Sequence, residues 1–179
     1  MTPEQQDLIV IAAGVDRVGL VERLAQAVAE AGCNIEESRM AALAGQFALL
    51  TRISGPWHGL SRLESSLPAS GRELGLDLVV RRASGKPAEA ALIPYQVDVV
   101  AMDHPGIVQS LANFFSRLGI NIQSLDTETY PAPHTGTPMF ALHMVLGIPA
   151  DARIPHLRSD FLDYCDDLNL DATFEPLRG

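Results

Sequence analysis

Basic residues are scarce in this chain. Thirteen Lys and Arg stand against 22 Asp and Glu, a net charge of −9. The deficit is uneven: residues 1–86 carry nine basic and ten acidic side chains, residues 87–179 four and twelve. A basic stripe that neutralises phosphates supplies most non-specific nucleic-acid affinity, so this composition argues against direct contact with DNA or RNA. An acidic second half would rather meet a basic protein surface, or nothing at all. Cysteine is nearly absent. Cys33 and Cys165 are too few for a disulfide scaffold and read as buried thiols in a reducing compartment. No apolar run approaches the roughly 18 residues of a membrane span. The opening Met1-Thr2-Pro3-Glu4-Gln5-Gln6-Asp7 lacks the basic and apolar regions of a signal peptide. A cytoplasmic location with no membrane association is therefore expected. Walker loops, dinucleotide fingerprints and Gly-x-Ser-x-Gly elbows are also missing. His58, His104, His134, His143 and His156 have no zinc-type spacing. The reading is no catalytic residue, no metal and no cofactor.

What the chain does contain is a repeat. Val15-Asp16-Arg17-Val18-Gly19-Leu20-Val21 returns as Met102-Asp103-His104-Pro105-Gly106-Ile107-Val108, and Ala31-Gly32-Cys33-Asn34-Ile35 as Leu118-Gly119-Ile120-Asn121-Ile122. Both returns share one offset of 87 residues. A single offset across two separate turns implies two copies of one supersecondary unit, here assigned to residues 1–85 and 93–179 with a linker over 86–92.

Each copy reads as strand, helix, strand, strand, helix, strand. In the first, Leu8 to Ala12 is an apolar run suited to a central strand, and Asp16 is a candidate helix cap. Leu20, Val21, Leu24, Ala25 and Val28 share one helical face, and Gly32 ends that helix. Strands follow at Ile35 to Leu43 and Phe47 to Ile53, joined around Ala44-Gly45-Gln46. Pro56 and Gly59 break the chain before a helix over about Leu60 to Leu74, and a strand at Leu76 to Arg81 closes the unit. In the second, Gln96 to Ala101 alternates, and Ile107, Val108, Leu111, Phe114, Phe115 and Leu118 form a core-facing stripe. Six extra residues enter at Tyr130 to Pro138, too rich in proline to be strand. A helix from about Ile154 to Leu168 sets Asp160, Asp163 and Asp167 opposite Leu157, Phe161 and Cys165. The order βαββαβ predicts an α+β fold, two ferredoxin-like units, each an antiparallel sheet with helices on one face. Two such units in one chain are expected to dock.

The Asp-x-x-Gly-(Leu/Ile) turn followed by Gly-x-Asn-Ile resembles the ACT domain, over both halves. Two such units, the second with the loop Pro131 to Phe140, are similar to the glycine cleavage system transcriptional repressor family. The resemblance implies small amino-acid binding at the junction of two units, with contacts on Asp16, Arg17, Gly19, Leu20, Asn34 and Ile35. In the second copy they fall on Asp103, His104, Gly106, Ile107, Asn121 and Ile122. The residue chemistry agrees: a glycine turn entering a helix exposes N–H groups to a carboxylate, and an asparagine amide both donates and accepts. The same glycines also suit a tight turn, and the same asparagines can bond their own backbone. Val18 stands where the second copy has Pro105, so equal affinity is not expected. The resemblance further implies a non-enzymatic sensor, with glycine as ligand and a DNA-binding regulator protein as partner; a homodimer is compatible with it. The alternative is a regulatory subunit of an amino-acid metabolic enzyme.

Overall fold

Alternation in the strands and helical spacing between them converge on one arrangement, seen twice in a computed structural model that describes residues 6–84 and 92–177. The chain divides into two units, Met1–Pro87 and Ala88–Gly179. The expected linker at 86–92 lies, as far as residue 91, outside the described residues.

The first unit comprises β1 (Gln6–Val15), α1 (Leu20–Glu30), β2 (Asn34–Leu43), β3 (Gln46–Ser54), α2 (Trp57–Glu73) and β4 (Leu76–Ser84). The second comprises β5 (Leu92–Met102), α3 (Ile107–Arg117), β6 (Asn121–Pro131), β7 (Pro138–Pro149), α4 (Ile154–Asp167) and β8 (Asp171–Pro176). The sheets run β2-β3-β1-β4 and β6-β7-β5-β8, all neighbours antiparallel. This is the ferredoxin-like arrangement expected from the element order.

Strand side chains alternate between faces, and in each sheet one parity is buried against both helices. Leu8, Val10 and Ala12 of β1 join Phe47, Leu49 and Ile53 of β3, under Leu20, Leu24 and Val28 of α1 and Leu60, Leu63 and Leu67 of α2. In the second unit Val97, Val99, Leu142 and Leu146 lie under Ile107, Leu111 and Phe115 of α3 and Phe161 of α4. Equivalent positions keep the repeat's offset, as Leu24 and Leu111 or Val28 and Phe115 show. The second core is more aromatic. Phe115 and Phe161 have ring centroids 5.0 Å apart, and Phe161 and Phe174 5.8 Å.

Several boundaries differ from expectation. Asp16 does not cap α1; Gly19 does, in a left-handed conformation and with no side-chain cap. Gly59 does not break the chain but lies buried within α2, because a Cβ there would come within 2.5 Å of the Ala31 carbonyl and 2.8 Å of Cys33 Sγ. Val21 and Leu118 are about half exposed rather than packed. Tyr130 and Pro131 remain in β6, and Pro138 opens β7, paired with Pro131. Proline is tolerated there because β6 is an edge strand and Pro138 is the first residue of its strand. The hairpin of the first unit turns through Ala44 and Gly45, both with positive φ (48° and 77°).

Of the two thiols, Cys165 is buried but Cys33 only partly so. Desolvation, aided by the Asp166 carboxylate, pushes the Cys165 thiol from 9.0 up to about 12. Among the described residues no helix is long and apolar enough to cross a membrane.

Two measurements check this packing. Gly59→Ala should destabilise by roughly 1–3 kcal/mol in denaturant unfolding, although alanine in an exposed helix would stabilise. Alkylation at pH 8 should spare Cys165 in the native protein and label it after unfolding. Its raised pKa also means that native stability is intact below pH 9.0 and falls as pH rises from 9.0 towards about 12, where only the unfolded thiol ionises at first.

Candidate functional site

The two strand-to-helix corners are built alike. The Asp16 N–H donates to the Gly45 carbonyl, and the Asp103 N–H to the Pro138 carbonyl, each at 2.9 Å. Both bonds tie the corner to the start of the third strand of its unit. Gly19 (φ 93°, ψ −2°) and Gly106 (φ 98°, ψ −5°) then reverse the chain into α1 and α3. Leu20 and Ile107, 4% and 3% exposed, anchor the first turn of each helix in the core, so any contact they make with a ligand is through the backbone.

The opening N–H groups of a helix have no intrahelical acceptor, and neither helix has a side-chain cap. Each corner therefore offers donors and the positive end of a helix dipole to an anion. At the first corner they open into a depression lined by Asp16, Arg17, Gly19, Leu20, Glu22 and Met40, among others. A Cβ built on Gly19 or Gly106 meets nothing within 4 Å. Glycine is demanded here by the backbone angle, not by a crowded neighbour.

Arg17 differs from its counterpart His104. Its Nη2 donates to the Leu74 carbonyl at the end of α2, a cation on the negative end of a helix. His104 is exposed, its Nδ1 3.1 Å from the Pro105 carbonyl. Arg17 thus latches the first corner to the second helix of its unit, a contact between residues 57 apart that no local pattern around Arg17 signals.

Asn34 and Asn121 do not join these corners within a unit. Asn34 pairs with Ser54 and Ser54 with Asp7, at the opposite end of the sheet from Gly45. The eleven residues of α1 separate the two motifs by about 16 Å, and α3 has the same length. Asn34, Ile35 and Asn121 are exposed and Ile122 is half-buried. No single unit presents both motifs to one ligand.

A further feature sits beside each asparagine. In β2 the pairing passes from Ile35 opposite Ile53 to Glu37 opposite Arg52, leaving Glu36 as a bulge. In β6 it passes from Ile122 opposite Leu146 to Ser124 opposite Val145, leaving Gln123. The bulges are 87 residues apart, like the motifs. The buried Thr51 hydroxyl donates to the Glu37 carbonyl at 3.0 Å, satisfying the backbone next to the first bulge. Asn34 Nδ2 donates to Glu36 Oε1 at 3.0 Å, and Ser54 Oγ donates to the same oxygen. Alternation through the bulges is broken by a single residue, a signal too weak to find in the sequence alone.

The ACT domain model matches residues 6–81. The glycine cleavage system transcriptional repressors of Escherichia coli K12 and Shigella flexneri are each 31% identical over 165 residues, covering 92% of this chain and 87% of theirs. The chain belongs to the glycine cleavage system transcriptional repressor family. A crystal structure of an unknown protein from Galdieria sulphuraria shares the fold over 98% of this chain and all of its own, at 30% identity and a TM-score of 0.79. At 92% coverage of this chain, the similarity to the repressors extends over both units.

The corner glycines can be tested for their backbone role. Gly106→Ala should cost about 1–2 kcal/mol from its left-handed angle alone, and Gly106→Asn distinctly less, read as shifts in the denaturation midpoint. Equal losses for the two variants would show that side-chain size, not φ, governs the position.

Proposed function

We propose that this protein is a non-enzymatic amino-acid sensor, responsive to glycine, that restrains expression of glycine-cleavage genes by binding a DNA-binding regulator. The observation that carries the reading is the duplicated glycine corner, open and free of side-chain caps, in a chain of the repressor family. A zwitterion needs donors for its carboxylate and acceptors for its ammonium. In this reading the corners at Gly19 and Gly106 offer donors suited to a carboxylate, and the amides of Asn34 and Asn121, at the other end of each unit, offer acceptors suited to an ammonium. The protein works in the cytoplasm. With four basic residues against twelve acidic ones in its second half, it reaches promoters through a partner rather than by gripping phosphates.

Control follows from linkage. Ligand changes the affinity for the partner only to the extent that it prefers one state of the chain over another, typically by about 1–3 kcal/mol. That preference must then act equally in reverse, so the partner alters glycine affinity by the same factor.

Calorimetric titration with glycine is expected to give saturable heat at up to millimolar concentrations, and Asn121→Ala to weaken it with an unchanged melting temperature. No heat with glycine or other small amino acids would remove the sensor reading. Affinity capture from a native lysate should retrieve a transcription regulator; retrieval of an amino-acid metabolic enzyme instead would point to an enzyme's regulatory subunit.

A further inference from the structure

The asparagine ends of the two units share a backbone and differ in charge. At the first, Glu36 sits on the bulge, accepting hydrogen bonds from Asn34 and Ser54, while Arg52 pairs with Asp7 at 3.1 Å. At the second, the positions of Asp7, Glu36, Arg52 and Ser54 are taken by Pro94, Gln123, Val145 and Gly147. Every charged member of the cluster is replaced by a neutral residue. The bulge side chain keeps its place nonetheless: Gln123 covers Gly147, where a Cβ would come within 2.7 Å of Nε2.

An ionised carboxylate can only accept hydrogen bonds. Facing Glu36, Asn34 must therefore turn its NH₂ inward, and its Oδ1 is left as the acceptor. Glu36 stays ionised: the Ser54 hydroxyl, then the Asn34 amide, hold its carboxyl below the ordinary carboxylate range, with a smaller contribution from Arg52. Asp7, Arg52 and Glu36 sum to one negative charge, and the neighbouring Glu37–Arg39 ion pair at 3.2 Å adds none. Gln123 carries both a donor and an acceptor, so it fixes neither the amide orientation nor a charge at the Asn121 end.

Resting on the amino-acid reading above, we propose that Glu36 is a positioning and specificity residue that makes the Asn34 end a seat for the ammonium group of the ligand. Gln123 leaves the Asn121 end neutral and weaker for the same group. The chain then carries two unequal sites for one metabolite, with selectivity for N–H-bearing amines concentrated at the first.

The test is calorimetry on the full chain with glycine and with its N-trimethylated analogue, which keeps the positive charge but has no N–H to donate. Wild type should bind glycine in two unequal steps, and the analogue should lose the tighter step. Glu36→Gln should weaken the tighter step by about tenfold, the loss of one charge-assisted hydrogen bond, without moving the melting temperature of this exposed residue. Gln123→Glu should tighten the weaker step, and it serves as an independent test should Glu36→Gln fail to fold. The tighter step should also fade at acidic pH, as pH falls through the lowered Glu36 pKa. If wild type binds glycine but the Glu36→Gln and Gln123→Glu isotherms superimpose on it, the role given to Glu36 is wrong. If wild type gives no heat with glycine, the sensor reading itself has failed.

Discussion

A positive φ at two glycines governs the geometry of both units. Gly19 and Gly106 sit near +95°, a conformation in which an L side chain is strained. That angle lets a central strand end, reverse and enter a helix that lies back over the same sheet. It drives Leu20 and Ile107 into the core and leaves the first helical N–H groups at the rim. The hydrogen bonds from Asp16 to Gly45 and from Asp103 to Pro138 then lock the corner against the neighbouring strands. One backbone choice thus produces both the packing of α1 and α3 and the donor-rich surface.

The two units keep this skeleton and diverge in what they hang on it. Core positions change within apolar chemistry, as where Val28 gives way to Phe115 or Cys33 to Ile120. Cys33 is wedged against Gly55 and Gly59, where added Cβ atoms would lie within 2.5 Å and 2.8 Å of its Sγ, so it serves packing. The rims change in charge. Arg17 in the first unit bonds to the end of α2, whereas its counterpart His104 contacts the adjacent Pro105 carbonyl, and the ionised cluster around Glu36 has a neutral counterpart around Gln123. A burial requirement tolerates only conservative exchange, whereas an exposed rim is free to specialise.

Much of the architecture was legible because it is periodic. The repeat of Asp16 to Gly19 at Asp103 to Gly106 located the corners, and alternation at Val97 and Val99 located a central strand. The features that escaped are those decided by contacts distant in sequence. Gly59 looks like a breaker until Ala31 and Cys33 are found beside it. Tyr130, Pro131 and Pro138 look like loop until the edge position of β6 makes proline acceptable. Asp16 has the chemistry of a cap, but the helix begins three residues later because Gly19 turns left-handed. The candidate site was legible as two motifs and not as a geometry. The helix between Gly19 and Asn34 is legible in the sequence. That its length sets the two motifs at opposite ends of the sheet follows only from the strand register, with Asn34 opposite Ser54 and Gly45 at the other end.

Under the proposed reading, that separation bears on how strongly the chain holds glycine. Glycine has five non-hydrogen atoms, and the best small ligands gain about −1.5 kcal/mol per atom, a ceiling near a low-micromolar Kd. Exposed rims such as those around Asn34 and Asn121 lose part of this to competing water, which moves the working range towards the concentrations of an abundant metabolite. A coupling of about 1–3 kcal/mol is then a sizeable share of the whole binding energy, so the contacts that hold the ligand must also be those that distinguish the states of the chain. Under the proposed reading, a charge placed at one rim and withheld from the other is a direct way to set that share. The first site responds at lower ligand levels than the second, and the response of the chain is spread over a wider range of concentration than two identical sites would give.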